Sequence, residues 1–178
     1  MSVILDAGTL IVFLQSNCKH GGADAAERHA RQRDIMIGYL NGQKSPFIVP
    51  AIAYTEFLIG LPDEYKEYLS GLPQKFRVAP LTERVALIAS QLKVSLMGAE
   101  QVDDIAATYG QSKTIVRADI FVLATCKAEG DKILVTRDRQ LCMRAEKLLI
   151  RCSHIDDIPG SAPHVPSKNT RSMFDPVG

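Results

Sequence analysis

The sequence predicts an α/β protein built on a parallel sheet. Short apolar runs at residues 3–5, 47–49 and 133–135 end abruptly in turn residues, and stretches with helical spacing separate them. Strands alternating with helices imply parallel pairing, because each parallel pair needs a crossover. The chain has 178 residues, 46% hydrophobic and 23% charged, which describes one globular domain. A chain of this length buries roughly 70% of its unfolded surface, so its core needs no disulfide or metal scaffold.

Residues 3–5 read as a buried strand that stops at Asp6 and opens through Ala7, Gly8 and Thr9 into a helix. Residues 23–40 carry charges early and Met36, Ile37 and Leu40 late, with Asn41-Gly42 as a stop signal, so they form a crossover helix. Residues 47–49 give a second strand, halted by Pro50, and 51–61 a helix closed by Gly60 and Pro62. Residues 77–79 suggest a third strand, after which Thr82 opens a helix with Val85, Ile88, Leu92 and Leu96 at helical spacing. Residues 101–109 read as a helix and 110–114 as a loop. A helical pattern over 115–129 stops at Gly130; a buried strand follows at 133–135, a turn at 136–138, a helix at 139–149 and a last strand at 150–154. Beyond Pro159 the composition turns to Pro, Ser, Gly and Asn without an apolar period, so the domain is expected to span 1–157, with 158–178 a flexible tail.

Lys plus Arg number 21 and Asp plus Glu 20, a balance that excludes a histone-like mass of basic charge but leaves room for a local patch. Cys18, Cys126, Cys142 and Cys152 form no C-x-x-C pair and have no histidine at zinc-finger spacing, so a structural zinc site is not expected. Cys126 and Cys142 fall among apolar neighbours, as reduced thiols do. Asp6 interrupts the only apolar run near the start, and no segment approaches the ~20 apolar residues of a membrane helix, which points to a cytoplasmic location.

Four carboxylates stand out: Asp6, Glu56, Asp119 and Asp138. Asp6, Asp119 and Asp138 lie near predicted helix starts, where an aspartate caps free N–H groups. Glu56 lies inside its helix on a face shared with Ile52 and Ile59, which predicts burial; Asp119 shares a face with Ile115, Val122 and Leu123. Buried carboxylates need partners, and this topology carries all four toward one sheet edge, the edge where ligands of open α/β sheets bind. Converging there, they would repel one another unless a divalent cation neutralised them. Hard oxygen ligands select Mg²⁺ or Mn²⁺, which favours phosphodiester chemistry with activated water as nucleophile. Thr9 and Thr136 stand near enough in sequence to hold a carboxylate or a water in place, although turn chemistry explains Thr136 equally well.

Four segments, in order, are V-I-L-D-A-G-T-L with Asp6, P-A-I-A-Y-T-E-F-L-I-G with Glu56, R-A-D-I-F-V-L-A-T with Asp119, and I-L-V-T-R-D-R-Q-L with Thr136 and Asp138. With them the sequence resembles the PIN-domain nucleases, and is most similar to the VapC-type ribonuclease toxins of toxin–antitoxin pairs. The resemblance covers roughly residues 1–157. It implies a three-layer α/β/α sandwich, a Mg²⁺ or Mn²⁺ site, and endonucleolytic cleavage of RNA by metal-activated water. It matches Asp6, Glu56 and Asp119 to the core acidic triad and Asp138 to a more variable fourth position. It also implies a homodimer and a cognate antitoxin that lays a segment across the helices near Glu56. Arg137 stands where the family commonly carries a small polar residue, and residues 98–114 and the tail run longer than in compact toxins.

Arg117, Arg137 and Arg139 flank two of the acidic motifs and are candidates for holding RNA phosphates, contacts that give affinity but little sequence information. Arg144 and Lys113 fit a solvated helix face equally well. With aromatics at 6% and no Trp, a base-stacking platform is not expected; Tyr54, Phe57, Tyr65 and Tyr68 read as core or partner contacts. Three alternatives remain: an RNA-processing nuclease outside any toxin–antitoxin pair, a non-catalytic PIN-like module, and a haloacid-dehalogenase-type phosphatase. The last wants a second aspartate two residues after the first, where this chain has Gly8.

Overall fold

Five short strands lie parallel in one sheet: β1 (Val3–Leu5), β2 (Phe47–Pro50), β3 (Phe76–Ala79), β4 (Ile133–Thr136) and β5 (Cys152–His154). The structure is a computed structural model that describes residues 2–14, 22–43, 45–61, 76–97, 113–130 and 132–158. The reading of 101–109, that of 110–112 in the expected loop, and that of the tail from 159 onward lie outside the described residues; residues 113–114, expected to end that loop, instead open a helix.

Strand order is β3-β2-β1-β4-β5, with Ile4 aligned to Ile48 on one side and Leu134 on the other. The chain builds outward from β1 through β2 to β3, then returns to β4 on the opposite side of β1. That reversal makes the carboxyl ends of β1 and β4 the switch point of the sheet, where adjacent connections diverge and leave a crevice. Ile4, Leu5, Leu134 and Val135 are fully buried, as expected for central strands covered on both faces.

Six described helices cover the sheet: α1 (Ala7–Leu14), α2 (Gly22–Asn41), α3 (Ala51–Gly60), α4 (Glu83–Met97), α5 (Lys113–Glu129) and α6 (Arg139–Lys147), completing an α/β/α sandwich. A 3₁₀ turn follows at Ile155–Asp157. Each boundary has a local cause. Asp6 caps α1, accepting the Thr9 N–H at 2.7 Å. The highly charged α2 buries only His29, Gln32, Met36 and Leu40, one stripe at helical spacing. Pro50, with φ −56°, leads directly into α3. The Thr82 hydroxyl oxygen caps α4 by accepting the Val85 N–H at 3.3 Å. Gly130, at φ +77°, ends α5 in a conformation that favours glycine. The last helix stops at Lys147, short of the expected Leu149, because Leu149 turns left-handed at φ 57°.

Against each other, α4 packs on α5, and α3 packs on both α1 and α5. Phe57 is buried, and Tyr54 stacks on it and meets Phe76 edge-on, so these aromatics belong to the core as the sequence suggests. Tyr65 and Tyr68 lie outside the described residues. Cys126 and Cys142 are buried thiols. No helix among the described residues is long and apolar enough to cross a membrane.

Candidate active site

Strand register brings the site together. Leu5 pairs with Val135, so the next residues, Asp6 and Thr136, emerge side by side at the switch point. The buried Thr136 hydroxyl donates to Oδ2 of Asp6 at 2.5 Å, and its oxygen accepts the Asp138 N–H at 2.9 Å. Thr9 approaches from α1: its N–H donates to Asp6 Oδ1, and its hydroxyl donates to the Val135 carbonyl at 3.2 Å. Both carboxylate oxygens of Asp6 are therefore oriented by the chain. Of the two threonines singled out in the sequence, Thr136 meets Asp6 through its hydroxyl and Thr9 through its backbone N–H.

Asp138 caps α6, its Oδ1 accepting N–H groups from Gln140 at 2.7 Å and Leu141 at 3.3 Å. Capping and site membership coexist, since capping occupies only one carboxylate oxygen. Asp119 is different. Its helix begins at Lys113, so Asp119 lies in the interior of α5, where it caps nothing. It is buried, as expected, and accepts a hydrogen bond from the buried Arg144 guanidinium on α6.

Two expectations are corrected. Glu56 is exposed and Ile59 is 80% exposed, so the face they share with Ile52 is not the buried one. The inward residues of α3 are Ala53 and Phe57, and Glu56 stands at the rim one position before Phe57. Arg144 is not on a solvated face: it lies at i+3 from Leu141 and i−4 from Leu148, on the buried side of α6. Sequence reasoning therefore left a residue of the site unassigned, although its apolar neighbours at helical spacing were the available signal.

The four carboxylates interact. Burial raises the Asp119 carboxyl from 3.8 to about 7; Arg144 opposes that rise, while Asp138, Asp6 and Glu56 add to it. Burial also raises Asp6, against the lowering effect of its Thr136 and Thr9 hydrogen bonds, with a further push from Asp138. Partial desolvation and the charge of Asp6 raise Glu56. The charges of Asp138, Asp6 and Glu56 thus all bear on the buried Asp119.

Among the arginines, Arg117 is exposed on the turn of α5 that carries Asp119. Arg137 is exposed in the turn between Thr136 and Asp138. Arg139 is exposed but engaged with Asp157, at 3.1 and 3.4 Å, which turns it toward the 3₁₀ segment. The side chain of Lys113 lies outside the described residues.

Among the described residues no three His, Cys, Asp or Glu side chains gather closely enough to form a ready-made cation cage. The donor chemistry nonetheless fits one class of cation. All four groups are hard oxygen donors, and Mg²⁺ binds through one or two carboxylates while keeping most of its water.

The fold is that of a parallel α/β protein with Asp6, Thr136 and Asp138 joined at the sheet's switch point. A model of the PIN domain matches residues 3–147, and the chain belongs to the PIN-domain family, whose members are generally nucleases. Among solved structures it is similar to VapBC2 from Rickettsia felis bound to a DNA fragment from their promoter, with 10% identity and a TM-score of 0.51. That match covers 86% of this chain and 98% of the other. No curated protein matches the sequence.

Proposed function

We propose that the protein is a Mg²⁺- or Mn²⁺-dependent endoribonuclease that hydrolyses RNA phosphodiester bonds as the toxin of a type II toxin–antitoxin pair. The observation that carries the reading is the buried Asp6 held by Thr136 at the sheet edge, beside a buried Asp119 on which the charges of Asp138, Asp6 and Glu56 act. Asp6 and Asp119 would hold the cation, with Asp138 and Glu56 beside them. When bound, the cation supplies charge neutralisation at the scissile phosphate and the acidity that turns water into a nucleophile.

The chain's own residues do the rest. Thr136 and the Thr9 N–H keep Asp6 in one orientation and favour its charged form. Arg144 offsets the charge of Asp119, so the pocket stays folded when no cation is bound. Arg117 and Arg137, exposed beside the acidic groups, take backbone phosphates, while Arg139 contributes a weaker, more distant positive charge. A homodimer and an antitoxin seated near the exposed Glu56 rim follow from the family resemblance, and the VapBC complex among similar structures agrees with a protein partner. The cytoplasm, where Cys126, Cys142 and Cys152 remain thiols, suits such a protein.

The test is cleavage of single-stranded and structured RNA with added Mg²⁺ or Mn²⁺, for the wild type and for Asp6→Asn and Asp119→Asn. Cleavage only with the cation, lost in both variants, is expected. Cleavage in excess chelator, or undiminished in both variants, contradicts the reading. A small DNA-binding protein encoded directly upstream that blocks cleavage in vitro is expected of the toxin role; its absence favours a processing nuclease.

A further inference from the structure

Gly8 is the second residue of α1, and its backbone does not need a glycine: among the described glycines, only Gly22 and Gly130 have positive φ. In a helix, glycine is less favourable than alanine because it loses more backbone freedom on folding. The missing Cβ leaves room for Arg137. A Cβ on Gly8 would stand 3.1 Å from Cγ and 3.2 Å from Cδ of Arg137, and 3.9 Å from Oδ1 of Asp6. The Arg137 stem therefore crosses the bare first turn of α1 beside the Asp6 carboxylate.

Its backbone is fixed as well. His154, buried at the end of β5 and paired in register with Thr136, has Nε2 at 3.0 Å from the Arg137 carbonyl. Its Nδ1 accepts the Asp156 N–H at 3.2 Å, so Nε2 carries the hydrogen and donates to that carbonyl. Thr136, one residue earlier, is tied to Asp6 and to the Asp138 N–H. With its carbonyl held from β5 and its stem laid on α1, Arg137 keeps little freedom beyond its guanidinium.

We propose that Gly8 is a positioning residue: by leaving the first turn of α1 bare, it seats the Arg137 stem so that the guanidinium takes an RNA backbone phosphate next to the acidic pocket. The proposal rests on the reading of the chain as an RNA-cleaving enzyme. It also gives Arg137 a definite task where Arg139 is engaged with Asp157.

Gly8→Ala, Arg137→Ala and the double variant test it, with a single-stranded RNA oligonucleotide in excess over enzyme and Mn²⁺ under multiple-turnover conditions. Gly8→Ala is expected to raise Tm by about 2 °C, as a helix gains from alanine, yet to raise KM about fivefold with kcat little changed. Arg137→Ala raises KM about tenfold and reduces the slope of log KM against log salt by roughly one counterion. In the double variant, KM matches that of Arg137→Ala within about twofold, because alanine at position 8 has no stem left to displace. A purely structural role for Gly8 would lower Tm or act equally in both backgrounds. Wild-type KM in Gly8→Ala, or the same loss with and without Arg137, overturns the proposal alone. A wild-type chain that cleaves no RNA overturns the enzyme reading and this proposal with it.

Discussion

Thr136 donates its hydroxyl hydrogen to Asp6 Oδ2 at 2.5 Å, joining the ends of β4 and β1 across 130 residues of sequence. That bond is the largest of the influences that lower the Asp6 carboxyl against its burial. Thr136→Val keeps the shape and removes the donor, so Asp6 rises further and ionises at higher pH. The acid limb of the pH–rate profile should move to higher pH, and Mn²⁺ affinity at pH 7, read by titration calorimetry, should fall about tenfold. Thr136→Ser should restore most of both. An unmoved acid limb in the valine variant would contradict this role.

The raised carboxyls also fix the pH dependence of folding in chelator. Asp119 titrates near 7 in the native state against 3.8 in its unperturbed form, and Asp6 and Glu56 are raised too. Between those values the unfolded chain releases its protons first, so the native state binds more of them and stability falls as pH rises from about 4 to about 7. Urea denaturation across that range should show the decline and a levelling above it. Added Mn²⁺ should stabilise more at pH 8 than at pH 5, because it binds the ionised groups.

The Arg144–Asp119 pair is buried on both sides, with side-chain exposures of 10% and 11%. Removing one partner strands the other charge, so Arg144→Met should destabilise the fold by about 3–5 kcal/mol at pH 8. Asp119→Leu combined with Arg144→Met removes both charges and should recover most of that loss. A double variant no more stable than Arg144→Met would show that Arg144 acts through other contacts.

Asp138 separates two roles by substitution. Asp138→Asn keeps a side-chain oxygen to accept the Gln140 and Leu141 N–H groups but carries no charge. Stability should stay within about 0.5 kcal/mol, while Mn²⁺ affinity falls. Asp138→Ala loses the cap as well and should cost about 1 kcal/mol in addition. Equal stability in the two variants would remove capping from the account.

The sheet, and the placing of Asp6, Thr136 and Asp138 at one edge, are legible in the sequence because they depend on strand ends. Asp6, Thr136 and Asp138 each stand where an apolar run stops, and parallel alternation brings those stops to one edge. Glu56 is harder because α3 is apolar almost all round: with Ile52, Ala53, Tyr54, Phe57, Leu58 and Ile59 available, no stripe marks the inner face. Packing on α1 and α5 selects Ala53 and Phe57, and Ile59 is left outside. Arg144 follows an apolar spacing that does mark its face, but a guanidinium on a buried stripe has meaning only once Asp119 is known to lie opposite it. Likewise, the hold of His154 on Arg137 requires the β4–β5 register, which no local pattern specifies.

The most direct test of the central claim is a crystal structure of the protein soaked with Mn²⁺, measured at the manganese absorption edge. An anomalous peak in the pocket that Asp6 and Asp119 would hold, lost in Asp119→Asn, is the predicted result. No peak in that pocket, in crystals of protein that cleaves RNA with Mn²⁺ present, would contradict it.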